Sequence, residues 1–398
     1  MSSLRAARAA LASQSGLRPV PAATPAVPVL VIVLLLAGLS LSCNNSNSVN
    51  RTGPDHNAYV TLPSTGQVAL LHVAGTTGVI TLATLTPQVL GATPTGLALH
   101  PSKKFLYAVN SFGNSISIFN IATDGTLTPN GALVPAGSSP NAAVIDPSGK
   151  YLLVTNSVFD GVVSVFSIDS SSGALSPVGT PVPANAYPTG ILFTHSGKFV
   201  YVTNPGEGAV SIFSFSNADG SLQQLPTSPV PSDAGALGLA VDAGDNFLYV
   251  ANPSASNPLV STVGNISGFN IDPGSGALTP MLGSPFYPTA GSTQGPTAIT
   301  VDPSGRFVYA VTMGSSDSIW CFAITPTNGQ LVAATNSPFS LAAGGVFALI
   351  DPIGNYFYIG GQTGIEGYTY NPATGAPTAI VGSPFSTSAG PGGMVLSE

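Results

Sequence analysis

Short apolar runs about six residues long alternate along the chain with clusters of Gly, Pro, Ser, Asn and Asp. One run recurs. Phe105-Leu106-Tyr107-Ala108-Val109-Asn110 has close copies at 151–156, 199–204 and 247–252, and looser ones at 307–312 and 356–361. A degenerate first copy is Ala58-Tyr59-Val60-Thr61-Leu62. The aligned residues Tyr59, Tyr107, Leu153, Tyr201, Tyr249, Tyr309 and Tyr358 follow one another at intervals of 48, 46, 48, 48, 60 and 49 residues. Self-similarity at this period marks an array of supersecondary units, and runs this short bounded by turn residues are strands rather than helices.

The second unit predicts four strands: A over 96–100, B over 105–110, C over 115–121 and D over 126–128. Asp-Pro-Ser-Gly (146–149 and 302–305) sits between A and B, and Asp-Gly (124–125 and 219–220) between C and D. In such turns Asp accepts backbone N–H groups and Gly takes the positive φ. One strand C position is aromatic in six units: Phe119, Phe166, Phe213, Phe269, Phe322 and Tyr368. With the strand B rings these are expected to pack between neighbouring units. Seven four-stranded units predict an all-β, seven-bladed β-propeller over 58–398. The first unit lacks strand A, and Pro391-Gly392-Gly393-Met394-Val395-Leu396 aligns with Pro94-Thr95-Gly96-Leu97-Ala98-Leu99. The C-terminal strand is therefore expected to complete the first blade, which removes an open sheet edge. The long fifth interval falls in 253–264 and 281–295, a B–C and a D–A connection on one face of the disc. Insertions on one face suit a binding rim, and equally suit tolerated loop drift.

Composition adds a leader and removes several functions. Gly 46 and Pro 36 fit a chain of turns, and a hydrophobic content of 44% excludes a disordered one. Arg5, Arg8 and Arg18 precede the apolar run 29–41, too short to span a bilayer comfortably and suited to a signal-peptide core. It ends at Ser42-Cys43 before the polar stretch 44–50. Residues 1–43 read as a signal ending at a lipidated Cys43, resembling bacterial lipoprotein signals, with 44–57 as a Ser/Asn-rich tether. An ordinary cleaved signal and an uncleaved anchor are the alternatives, since Ser40 stands where lipoprotein signals prefer an aliphatic residue. Membrane attachment through lipid only, at the periplasmic or cell surface, or secretion, is the expected location. The second cysteine, Cys321, lies between Trp320 and Phe322 and reads as a buried thiol. With 9 Lys and Arg against 16 Asp and Glu, the net charge of −7 argues against nucleic-acid binding. A monomer is expected.

Tyr201-Val202-Thr203-Asn204 and Tyr249-Val250-Ala251-Asn252 resemble the YVTN repeat of bacterial propellers. The whole unit, with its Asp-Pro-Ser-Gly turn, resembles the lactonase family, which includes 6-phosphogluconolactonases and carboxymuconate cyclases. The resemblance spans 58–398. It implies a seven-bladed propeller and lactone hydrolysis.

The charges do not suit a phosphorylated lactone, which needs cations to hold its phosphate. After the leader and Arg51, the bases are Lys103, Lys104, Lys150, Lys198 and Arg306, all in A–B turns. The B–C and D–A loops, which form the predicted mouth, carry none. His100 and His195 are assigned to the A–B turn position that is Asp146, Asp242, Asp302 and Asp351 elsewhere. No Gly-x-Ser-x-Gly elbow, calcium loop or zinc spacing is present, and no cofactor is expected. Carboxylates that reach the mouth are Asp160, Glu207, Asp233 and Asp317, candidate bases or dispersed surface acids. Glu366 takes a strand C position that is Ser117, Ser164, Ser211 and Ser267 in other units; it reads as pointing outward, or as a buried acid. Asn110, Asn156, Asn204 and Asn252 end strand B, as loop caps or as a ring of amides for a ligand. Thr95, Asn141, Thr189 and Thr297 start strand A nearer the axis. The sequence thus predicts an envelope-anchored propeller that binds a neutral sugar, lactone or peptide at its mouth. The alternative is a hydrolase of an uncharged lactone, which requires at least two of the five carboxylates to converge.

Overall fold

The computed structural model describes residues 53–88, 93–254, 263–288, 294–314, 317–342, 344–352 and 356–397. The leader, Cys43, most of the tether, residues 255–262 of one insertion and 289–293 of the other lie outside the described residues.

The strands assemble as seven antiparallel sheets, one per repeat. In the second, strand A is Pro94–Leu99, B Phe105–Asn110, C Ser115–Ile121 and D Leu127–Pro129, hydrogen-bonded in that order. Strand A of each blade touches strand A of the next, and the last, Met394–Ser397, touches both Phe347–Ile350 and Pro94–Leu99, so the array is a closed ring. Met394–Ser397 is also strand A of the first blade, pairing from Asn57↔Ser397 to Val60↔Met394. The predicted fold and its closure by the C-terminal strand are what is observed.

The outer strand carries a detail the repeat did not announce. In five blades a second short segment, such as Val134–Pro135 or Val230–Pro231, pairs with the opposite end of strand C. Between the two segments strand D leaves the sheet, and a strand C N–H loses its partner. In four blades a serine hydroxyl replaces it: Ser228 accepts from Ile212 N at 2.9 Å, Ser284 from Gly268 N at 3.0 Å, Ser337 from Cys321 N at 2.9 Å and Ser383 from Gly367 N at 2.9 Å. Each is followed by Pro, which has no N–H to leave unpaired.

The core lies between blades, as expected from the recurring rings. Phe105, Tyr107 and Val109 of the second blade pack on Leu152, Val154 and Phe166 of the third. Six strand B tyrosines also reach across each boundary. Tyr59, Tyr107, Tyr201, Tyr249, Tyr309 and Tyr358 donate their hydroxyls to the carbonyls of Gly125, Gly173, Gly276, Gly329, Gly375 and Gly78, in the C–D turn of the next blade, at 2.7–2.9 Å. The last bond closes the ring. Leu153 replaces tyrosine in the third blade, where this bond is absent. The accepting glycines are fixed by backbone and by space: Gly173 has φ +73°, and a Cβ there would fall 2.5 Å from the Phe105 ring. Burial, and next the nearby charge of Asp124, push the Tyr59 phenol up to about 12. Burial also raises the other five.

Candidate functional site

Strand A lines the axis, and its start opens on the face of the B–C and D–A loops. A cavity of about 760 Å³ lies there, bordered by Thr95, Asn141, Thr189, Leu237, Thr297, Val346 and Gly392, one residue per blade at the same strand A position. No ionisable side chain is among its lining. A second cavity of about 540 Å³ opens at the other end of the axis, beside His100, Lys103 and Asp146. The predicted asymmetry of cations holds: every described Lys and Arg is in an A–B turn, on that second face.

The small polar residues of the mouth are largely committed to the scaffold. The Thr95 hydroxyl donates to Asn141 O of the next blade at 3.0 Å, and Thr297 to Gly345 O at 2.8 Å. Thr189 lies 3.2 Å from the Thr203 hydroxyl. The Thr95 and Thr297 hydroxyls stitch blades together, the Thr189 hydroxyl meets strand B of its own blade, and all three offer a ligand only their free lone pairs. Asn141 differs: its half-buried carboxamide borders the cavity and has no hydrogen-bond partner among the described residues.

The amide ring imagined from Asn110, Asn156, Asn204 and Asn252 is not formed. All four are buried. Asn110 Nδ2 donates to Ser117 Oγ at 2.9 Å, Asn204 Nδ2 to Ser211 Oγ at 2.9 Å and Asn252 Nδ2 to Ser267 Oγ at 2.9 Å, while the Ser164 hydroxyl donates to Asn156 Oδ1 at 2.9 Å. They clip the end of strand B to strand C inside the sheet. The asparagine and the strand C serine are one device, and their joint recurrence in the sequence was its signal.

Glu366 shows the same device replaced. Its blade ends strand B in Gly360 and has no asparagine to meet. The expectation that Glu366 points outward is corrected: it is 3% exposed. Its Oε2 accepts the Tyr368 hydroxyl at 2.5 Å and Ala342 N–H, of the preceding blade's connection, at 3.2 Å. Burial, and next the bond to Glu366, raise the Tyr368 phenol. The carboxylate is spent holding the sixth and seventh blades together.

The other carboxylates make no hydrogen bond to one another. Glu207 accepts Asn185 Nδ2 at 2.7 Å, Asp233 accepts from Asn265 and from Ala234 N, and Asp160 is exposed. Asp317 lies near the cavity lining without belonging to it. Its Oδ1 accepts Gly314 N–H, and its Oδ2 lies 3.2 Å from where a Gly344 Cβ would stand, with Met313 and Gly345 as the neighbouring cavity lining. Gly314 in turn packs on Gln294 at the foot of the 281–295 insertion, while Gly295 abuts Gly264 at the foot of the other. The described ends of both insertions therefore meet on the mouth face, on its Asp317 side. Among the described residues no three His, Cys, Asp or Glu side chains group together.

The histidines are scaffold. His100 bridges to the next blade, with Nε2 2.8 Å from Gly149 O and Nδ1 2.7 Å from Ser102 Oγ. His56 Nε2 and Asp351 Oδ2 lie 3.1 Å apart, buried at the seam of the first and seventh blades. The expectation that His195 caps its turn is corrected: the cap is Thr194, one residue earlier, whose hydroxyl accepts Phe199 N–H, and His195 faces Asp245 at 2.9 Å. Cys321 is buried as expected, and burial pushes its thiol up to about 12.

The rim contains residues the repeat concealed. Phe112, Phe159 and Tyr187, in loops of the mouth face, are 82%, 69% and 46% exposed. They lie between the recurring strands, so no periodicity marks them.

Comparison with known proteins places these features in a group. The family described as Lactonase, 7-bladed beta-propeller, matches residues 54–189 and 191–389. Among solved structures, a proposed 6-phosphogluconolactonase of Bacteroides uniformis superposes with a TM-score of 0.74 at 19% identity, covering 86% of this chain and 100% of its own. A periplasmic gluconolactonase of Pseudomonas aeruginosa gives 0.72 at 18% identity, covering 86% and 99%. A protein of Lactobacillus plantarum gives 0.69 at 17%, covering 86% and 100%. At these identities the likeness shows the fold. No curated protein matches in sequence.

Proposed function

Since the chain belongs to the lactonase family of seven-bladed β-propellers, we propose that it hydrolyses an uncharged lactone in the axial cavity at the mouth. The observation that carries this reading is the cavity itself: about 760 Å³, lined by neutral residues, with the Asp317 carboxylate near the lining residue Met313. A lactone ring fits such a volume. Asp317 takes a proton from water as it attacks the lactone carbonyl, the Asn141 carboxamide donates to the carbonyl oxygen, and as the tetrahedral adduct collapses Asp317 returns that proton to the ring oxygen while the ring C–O bond breaks, giving the hydroxy acid. Asp160, Glu207 and Asp233 on the same face repel a phosphate, and the cations that would hold one are on the other face. The structural neighbour named a gluconolactonase carries the name of an uncharged-lactone reaction.

A second reading, a binding module without turnover, is favoured by one observation: the convergence of two carboxylates expected of a hydrolase is not met, since no two of the five share a hydrogen bond or a cavity lining, and hydrolysis would rest on Asp317 alone. Titration of acid release from glucono-δ-lactone, with the Asp317→Asn variant alongside, decides between them. Turnover lost in the variant supports hydrolysis, and binding without turnover supports the second reading. Export and lipidation at Cys43 form part of the proposal. Cys43→Ala is expected to move the protein from the membrane fraction to the soluble one, whereas an uncleaved anchor would keep it there.

A further inference from the structure

The rim of the third and fourth blades holds two exposed rings that neither the scaffold nor the proposed hydrolysis uses. Phe159, in the third blade's B–C loop, and Tyr187, in the connection to the fourth, meet edge to face with ring centroids 6.3 Å apart and an interplanar angle of 76°. Both are exposed, and together they form an open corner. Asn185 and Tyr187 hold φ of +70° and +56°, backbone that an aromatic residue seldom adopts. Tyr187 N–H to Val158 O at 2.8 Å locks the connection to the Phe159 loop. Gly206 lies beneath the Tyr187 ring, where a Cβ would come within 2.8 Å of it. The next residue is Glu207, whose Oε2 holds the Asn185 carboxamide at 2.7 Å. Two residues beyond Tyr187, Thr189 borders the axial cavity.

We propose that the Phe159–Tyr187 corner, with Asn185 and Glu207, is a binding subsite for a neutral saccharide ring. The chemistry selects this class. The C–H face of a sugar packs on an aromatic ring, and its hydroxyls donate to a carboxylate and exchange hydrogen bonds with an amide. Glu207 keeps Oε1 for a hydroxyl after Asn185 takes Oε2. Asp160 and Glu207 flank the rings, which disfavours anionic ligands and a purely apolar surface alike. The backbone fixes the corner before any ligand arrives, so little ordering is left to oppose a weak ligand. The subsite goes beyond lactone hydrolysis and holds whether or not the axial cavity turns over a lactone.

The test is isothermal titration of the purified protein with cellotriose, maltotriose, xylotriose and chitotriose, with trigalacturonic acid as the anionic control. At least one neutral trisaccharide is expected to bind, and Phe159→Ala and Tyr187→Ala each to weaken it about tenfold or more, with unchanged melting temperature and unchanged lactone turnover. Three results would overturn the proposal. One is no binding of any neutral trisaccharide at millimolar concentration. Another is binding that survives the double variant. The last is loss, in the variants, of binding to phosphatidylcholine vesicles instead.

Discussion

The two faces of the disc are built from the same repeats and differ in what their charges do. On the A–B and C–D face, carboxylates are turn caps. Asp302 Oδ1 accepts Arg306 N–H and Phe307 N–H at 2.7 and 2.6 Å, and Asp242 Oδ1 accepts Asn246 N–H and Phe247 N–H at 2.7 and 2.6 Å. Asp124, Asp169 and Asp272 cap C–D turns in the same manner, each within two or three residues of itself. All described cations share this face. On the mouth face the repeat lapses. Its loops vary in length, carry exposed rings and present carboxylates at scattered positions without a cation. The difference separates two roles: the face whose turns are closed by rule is scaffold, and the face free of that rule is left for ligands.

The largest expected effect is on the mouth side. Asp317→Asn is expected to lower lactone kcat at least a hundredfold, as removal of a general base does, while the melting temperature stays within a few degrees. An unchanged kcat would move catalysis away from this cavity. On the scaffold side, Asp302→Ala takes the acceptor from three buried or half-buried N–H groups, of Ser304, Arg306 and Phe307, and should cost about 2–4 kcal/mol in urea unfolding, with kcat unaffected. Tyr201→Phe leaves only the Gly276 carbonyl unpaired and should cost about 1–2 kcal/mol. Replacement at Leu153, which makes no such bond, should cost cavity energy alone.

Smaller again is the response to pH. The Thr126 hydroxyl beside Asp124, the Ser171 hydroxyl beside Asp169 and the Ser275 hydroxyl beside Asp272 hold these carboxylates below the usual value of 3.8. A folded value below the unfolded one stabilises above 3.8 and fades as pH falls through the folded value. The melting temperature should therefore be flat near neutrality and decline once pH drops below 3.8. The buried tyrosines act in the opposite sense. Their raised values stabilise fully below 10.0 and lose that contribution as pH rises above it. The smallest effect should come from neutralising Lys103, Lys150 and Lys198 together, which should leave kcat/KM for an uncharged lactone unchanged.

Much of this was legible in the chain. The tyrosine interval counted the blades, Met394–Ser397 named the closing strand, and the placement of lysines separated the faces. These are features a repeat imposes on every copy. Legibility failed where meaning depends on contact between strands, within one copy or between two. Asn204 and Ser211 look like loop polar residues until the register sets them against each other. Glu366 looked like a charge bound for solvent, but the preceding blade supplies an N–H that lets it stay buried. Thr194 and His195 could not be told apart as cap because only geometry says which side chain meets Phe199 N–H. The rim rings belong to no repeat at all.

The central claim, that a neutral mouth serves an uncharged lactone, is tested most directly by acid release at constant pH from glucono-δ-lactone and from its 6-phosphate. The account predicts kcat/KM at least about tenfold higher for the uncharged lactone, the phosphate gaining no cation and meeting Asp160, Glu207 and Asp233. Faster turnover of the phosphorylated lactone would contradict it.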